Sequence, residues 1–281
     1  RLIAAGDVQE VNTDLIPNYD GIFDFLKDRD WNTVDGRSYG IPHGYGANLL
    51  LYNTEEVTEE PTSWSVVFDE ASAHSGKVTA YDSPIYIADA ALYLMKTQPE
   101  LGIEHPYALD EEQFAAAVDL LKAQREHVGE YWSDYLKEIQ AFQTGDSVVG
   151  TTWQVIQNAL EAEGAPTAAV LPEEGATGWS DTWMIAAGSE NVNCAYAWLD
   201  YIASPEANAA ATEYFGEAPS SEAACDFRSE GSCEAYHAGD AEYAEQIWYW
   251  TTPIAECLDG RTDVECVDYA GWTQAWQEIK G

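Results

Sequence analysis

Short apolar runs, punctuated by glycine and proline, alternate along the chain with stretches whose apolar residues recur every three or four positions. The first pattern reads as strands and the second as helices. A glycine-punctuated entry at 42–47 leads into a strand at 48–52, Asn48-Leu49-Leu50-Leu51-Tyr52. Residues 77–81 form a second strand, stopped by Asp82-Ser83-Pro84. Residues 148–153 form a short strand that feeds a helix at 154–163, which Gly164 ends. Further strands lie at 168–172 and 183–187. Thr62 and Ser63 suggest a capped helix start before Phe68. The clearest helix opens at Asp110: Asp110 and Gln113 have capping-box spacing, and Phe114, Val118 and Leu121 mark one face. A helix at 192–203 is followed by another that Ser204-Pro205-Glu206 begins, with proline at the first helical position. This alternation predicts an α/β protein with mainly parallel sheets.

At 281 residues and 46% hydrophobic, the chain can build one large or two ordinary domains with a true core. No apolar run reaches the roughly 18 residues of a membrane span, and the start, Arg1-Leu2-Ile3-Ala4-Ala5-Gly6, lacks the apolar run of a signal peptide. Charge changes the picture most. Against 12 Lys and Arg stand 50 Asp and Glu, a formal charge of −38. Such a surface repels phosphate backbones, so nucleic acid is not an expected partner. It also suits a high-salt habitat, where screening removes the self-repulsion; a melting temperature that climbs with salt is the expected mark.

Cys225 with Cys233, and Cys257 with Cys266, each flank a short polar loop, and the five histidines are scattered. That spacing fits two local disulfides in an oxidising compartment better than a zinc site. Cys194 begins the apolar run Cys194-Ala195-Tyr196-Ala197-Trp198-Leu199 and is expected to be a buried free thiol. No metal and no cofactor is expected.

Four segments, in order, resemble the spermidine/putrescine-binding family of ABC-transporter solute receptors. They are Ile41-Pro42-His43-Gly44-Tyr45-Gly46-Ala47-Asn48 with the strand after it; Phe142-Gln143-Thr144-Gly145-Asp146 with Val149-Gly150-Thr151-Thr152-Trp153; the run from Glu173 through Gly178-Trp179-Ser180-Asp181 to Ala186; and Tyr214-Phe215-Gly216-Glu217-Ala218-Pro219. The resemblance implies a two-lobed, type II periplasmic-binding-protein fold with two hinge crossovers. Lobe one would comprise 1–48 and 179–281, and lobe two 49–178. Family members carry a further stretch before the position matching Arg1, so lobe one is expected to be incomplete at its N-terminus. The implied role is an extracytoplasmic, monomeric receptor, lipid-anchored or free, that delivers a small ligand to a membrane permease.

An alkylammonium ligand asks for a carboxylate, aromatic faces and a dry slot. Trp179 and Asp181 are two apart, so an extended segment points both the same way. The resemblance carries ligand contact to Trp153, Trp179, Asp181 and Tyr45, and Trp250 near the chain end is a further candidate. Gly44 and Gly46 are expected to absorb backbone change at the hinge. One departure bears on the ligand. After the strand at 77–81 the family carries two carboxylates three residues apart. Here only Asp82 is acidic, with Ser83 and Tyr86 in register. The resemblance implies a small cationic, polyamine-like amine. Here, however, a diamine or triamine would lose a partner at one end, which opens a monoamine, a quaternary amine, an amino-acid-like molecule or an uncharged one as the ligand. A carbohydrate is the alternative, since tryptophans also stack on sugar rings. A secreted hydrolase is the rival from another class, but no nucleophile elbow, zinc-helix motif or P-loop is present. The 17 tyrosines occur singly, which disfavours ferric iron capture.

Overall fold

Asp110 does in three dimensions what its spacing with Gln113 predicts. Its Oδ1 accepts the backbone N–H groups of Glu112 and Gln113 at 3.1 Å, and Gln113 Oε1 accepts the Asp110 N–H at 3.1 Å. The helix Glu111–Arg125 follows, acidic in its first turn and basic in its last, as the helix dipole favours. In this computed structural model, which describes residues 1–281, most other expected elements form within a residue or two of their predicted limits: strands Leu49–Asn53, Val78–Tyr81, Val149–Thr152 and Thr167–Val170, and helices Gln154–Ala162, Val192–Ile202 and Pro205–Phe215. The expected helix start near Thr62 is only a single tight turn, Trp64–Val66, capped by Ser63. The strand expected at 183–187 belongs to a longer one, Ala176–Ala186. Three helices of ten or more residues had no counterpart in the sequence reading: Tyr86–Thr97, Tyr135–Thr144 and Tyr269–Lys280.

The chain divides into two units, Arg1–Gly46 with Gly178–Thr251, and Ala47–Thr177 with Thr252–Gly281. In the first, Ala176–Ala186 lies between Val8–Gln9 and Gly40–Ala47, the short strand Ala218–Pro219 extends the other side of Gly40–Ala47, and Ile247–Tyr249 also pairs with Ala176–Ala186. The resolved registers of Val8–Gln9 and Ala218–Pro219 with their neighbours are antiparallel. Ile41 and Tyr45 project from Gly40–Ala47 into a core with Val11, Ile16, Ile22, Leu26 and Leu199.

The second unit holds a five-stranded sheet in the order Val128–Trp132, Val78–Tyr81, Val149–Thr152, Leu49–Asn53, Thr167–Val170. Val78–Tyr81 is parallel to both its neighbours, whereas Leu49–Asn53 is antiparallel to both of its own. The expectation of mainly parallel sheets is thus corrected to mixed ones. The reason is connectivity: helical crossovers return four of these strands to the same end of the sheet, and Leu49–Asn53 is inserted against them. Every residue of that strand is buried, which explains its unbroken apolar sequence.

Residues 252–281 also need correction, because they pack with the second unit and not with 179–251. Trp272 is fully buried, 5.7 Å from the Phe114 ring, and Trp276 meets Tyr86 and Tyr131 edge-on. Arg261 reaches Asp110 Oδ2 at 2.7 Å, the Ala108 carbonyl at 2.8 Å and Gln113 Oε1 at 3.0 Å. Burying two indoles stabilises by several kcal/mol at roughly 1.5–3 kcal/mol per large side chain. Cys225–Cys233 and Cys257–Cys266 are both disulfides. Cys194 is free, but exposed and not buried as expected. Only Leu199 and Ile202 of its helix are buried, and Cys194 lies outside that narrow inner face. No helix is long and apolar enough to cross a membrane.

Candidate functional site

In the second unit, Tyr81, Trp132 and Trp153 stand at the carboxyl ends of three parallel strands. That end of an α/β sheet is where ligands commonly sit. Their rings pack within 4.9–5.5 Å of one another. Trp153 donates its indole N–H to Asn48 Oδ1 at 2.9 Å, and Asn48 Nδ2 donates to Thr177 Oγ1 at 2.7 Å. The Thr177 hydroxyl in turn donates to Asp89 Oδ1 at 2.7 Å. Asp89 is 1% exposed, and burial pushes its pKa up to about 7. Asp82, expected at the ligand, already has partners. Lys280 Nζ lies 2.7 Å from its Oδ1 and the Trp276 indole donates at 3.0 Å. Burial alone would raise its pKa, but those two hydrogen bonds and the Lys280 charge hold it below the usual carboxylate range.

In the first unit, Trp179 and Asp181 follow the crossover on the strand Ala176–Ala186. A Cβ at Gly46 would run into the Trp179 ring, and one at Gly44 would run into the Glu217 carboxyl. Neither glycine has a positive φ. Their task is room on one face of the strand Gly40–Ala47, not the backbone freedom expected of them. Tyr45, between them, points to the opposite face. It is 2% exposed, packs edge-on against Phe23 and Phe25, and its hydroxyl accepts the Gly239 N–H at 2.9 Å. Tyr45 is thus a core residue, and its expected ligand contact is withdrawn. Trp250 is half-buried, with its backbone N–H bonded to the Gly178 carbonyl at 2.8 Å. Trp183 does not enter the core: 37% of it is exposed, and it meets His43 and Trp198 edge-on.

Glu217 is the functional candidate that the sequence did not single out. It is 1% exposed, and its Oε1 lies 3.8 Å from His43 Nε2. The Trp179 side chain approaches as a donor, yet neither carboxyl oxygen has a hydrogen bond of ordinary geometry. Burial, and then the nearby Asp181 charge, push its pKa up to about 8. Asp181 keeps an accessible carboxyl, but desolvation raises its pKa too, because neighbouring groups displace part of its hydration shell. Burial lowers the His43 pKa, so this imidazole tends to neutral. The result is two carboxyls and an indole on one side of the first unit's sheet, with no cation paired to either acid. The signal available in the sequence was the Gly44–Gly46 spacing, which leaves two side-chain-sized spaces on one strand face.

A cavity of about 440 Å³ lies elsewhere, in the second unit between Asn53, Phe142–Gly145 and Glu163–Pro166. None of the expected ligand residues lines it, and two of its own, Gln143 and Glu163, bond to each other. No cluster of three or more His, Cys, Asp or Glu side chains could hold a metal ion.

Comparison with known proteins bears on this geometry. The family model described as bacterial extracellular solute-binding protein matches residues 1–232. A putrescine/cadaverine-binding protein of Pseudomonas aeruginosa is 27% identical over 223 residues, covering 72% of this chain and 57% of that protein. The chain thus spans less than two thirds of that relative's length. A putative spermidine/putrescine ABC transporter structure from Listeria monocytogenes superposes with a TM-score of 0.76 at 17% identity, covering 99% of this chain and 80% of the other. The Tp0655 lipoprotein of Treponema pallidum gives 0.77 at 18% identity, with the same coverages. At such identities the two structures establish the shared α/β binding-protein fold alone.

Proposed function

The chain belongs to the bacterial extracellular solute-binding protein family, and from that premise we propose that it is an extracytoplasmic receptor handing a small cationic amine to an ABC permease. It acts as a monomeric binder and carries no catalytic machinery in this reading. The supporting observation is Trp179 laid over Gly46 with Asp181 two residues further along the strand. An aromatic face attracts an ammonium by roughly 0.5–2 kcal/mol, and a carboxylate adds a charge-assisted hydrogen bond. The Pseudomonas aeruginosa relative is named for putrescine and cadaverine, ligands of this chemistry. Trp153, in the second unit, remains a candidate from the resemblance alone, its indole N–H held within that unit by Asn48. Asp82 and Tyr45 are left out of the ligand set, because their polar atoms have protein partners.

Carbohydrate is the competing ligand class, and the accessible tryptophan edges favour it as a second reading. A thermal-shift series with putrescine, cadaverine, spermidine, γ-aminobutyrate and maltose separates the two. Binding to the native state alone stabilises it by about 2.7 kcal/mol at a hundredfold excess over Kd. The amine reading expects a rise in melting temperature with at least one amine and none with maltose. A rise with maltose alone would replace it with the sugar reading.

A further inference from the structure

Resting on the amine-receptor reading, we propose that Glu217 joins Asp181 to form the seat of a primary ammonium group, and that seating the ammonium expels a proton from this pair to solvent. Glu217 comes from the turn after the helix Pro205–Phe215, where Gly216 adopts a left-handed conformation and lets the chain enter the short strand Ala218–Pro219. That strand pairs with Gly40–Ala47, setting Ala218 opposite Tyr45 and Pro219 opposite Gly44. The register brings the Glu217 carboxyl over Gly44, where any side chain would collide with it. The space is therefore kept for a carboxyl group that is 1% exposed and lacks an ordinary hydrogen bond on either oxygen. A buried carboxyl with both oxygens unsatisfied costs stability. A ligand that supplied the missing donors would offset that cost.

The surrounding groups indicate which ligand group fits. His43 faces Glu217 from the strand Gly40–Ala47 and tends to neutral. Asp181 and Trp179 face it from Ala176–Ala186, one adding negative charge and the other a weak donor. Helix Pro205–Phe215 offers Thr212, whose hydroxyl accepts from Arg228 Nη1 at 2.7 Å. Arg228, also bonded to Ser232 and lying over the Tyr236 ring, has the smallest influence on Glu217. No lysine or arginine forms an ion pair with either acid. Two nearby carboxyls that are partly desolvated cannot both stay ionised, so one holds a proton near neutral pH. The burial-driven rise of Glu217 to about 8 marks it as the holder. A primary ammonium brings one positive charge and three N–H donors. It lets both carboxyls ionise, so the Glu217 proton leaves. A quaternary ammonium brings charge but no N–H, and leaves the oxygens unsatisfied.

Calorimetry with putrescine at pH 6 and pH 8, in two buffers of different ionisation enthalpy, reads the exchange directly on the unmodified protein. The expectation is proton release near neutral pH and roughly tenfold or more tighter binding at pH 8 than at pH 6, because only the ionised pair holds the ligand well. Glu217→Gln should abolish the proton release and weaken putrescine at pH 8 by about tenfold or more, with the gap closing at pH 6 where glutamine mimics the protonated acid. Choline should bind far more weakly than putrescine. Unmodified protein that binds putrescine with equal affinity at both pH values and no buffer dependence overturns the inference and leaves the amine reading standing. So does Glu217→Gln that matches the unmodified protein at pH 8, or choline that matches putrescine. Absence of binding to any amine overturns both.

Discussion

Each unit brings a tryptophan next to a carboxylate, and the two arrangements differ in what the carboxylate already holds. In the second unit Asp82 accepts from Trp276 and pairs with Lys280, and Trp153 is bonded to Asn48. In the first, Trp179 lies beside Glu217 and Asp181, and no cation is paired with either acid. Residue types alone would rank the two sets equally. Pairing ranks them differently, because a carboxylate already neutralised by lysine has little to gain from a ligand's charge, whereas an unpaired one gains fully. Glu138 sharpens the contrast. It too is buried, with neither carboxyl oxygen in an ordinary hydrogen bond and burial raising its pKa strongly, but no neighbouring acid adds to that rise. Beside the apolar Ile139 and Phe142 it reads as a neutral core acid and not as an ion seat.

The largest expected effect comes from filling the space that distinguishes the first unit. Gly46→Val puts a branched side chain where the Trp179 ring lies. It should destabilise by about 1–3 kcal/mol, the usual range for overpacking, and remove putrescine binding. Denaturant unfolding and calorimetry on one preparation would check both. Unchanged binding would show that the ring's position over Gly46 is immaterial to the ligand.

The smallest effect is expected in the second unit. Asp82→Asn keeps the shape of the side chain and removes its charge. Since Asp82 and Lys280 are both partly solvent-accessible, the loss should stay near or below about 1 kcal/mol. Putrescine affinity should be unaltered. The sign with pH is fixed by the lowered pKa of Asp82: its contribution is present above the ordinary carboxylate range and lost as pH falls through and below about 4. A tenfold loss of putrescine affinity in this variant would return Asp82 to the ligand and erase the distinction between the units.

Local chemistry made much of the fold legible. The Asp110–Gln113 spacing, the proline at the start of Pro205–Phe215 and the close cysteine pairs each act over a few residues, and each formed as read. The failures share a longer reach. Lys280 meets Asp82 across 198 positions of sequence, and no local pattern announces such a partner. The same holds for Trp272 and Trp276, which draw the last helix onto the second unit. Tyr45 is a different failure, since strand alternation sets it on the face opposite Gly44 and Gly46 and could have assigned it to the core. Trp179 and Asp181 were singled out by their alternation and by the resemblance. Glu217 hid inside a Gly-Glu-Ala-Pro bend whose chemistry depends on strand pairing with Gly40–Ala47.

The central claim is that Asp181 faces the positive charge of an amine ligand, and calorimetry of putrescine on Asp181→Asn tests it most directly. The substitution keeps the side chain's shape, so the unliganded melting temperature should hold while affinity falls at least tenfold, on the order of 1.4 kcal/mol. An affinity equal to that of the unmodified protein, with the fold intact, would contradict the account.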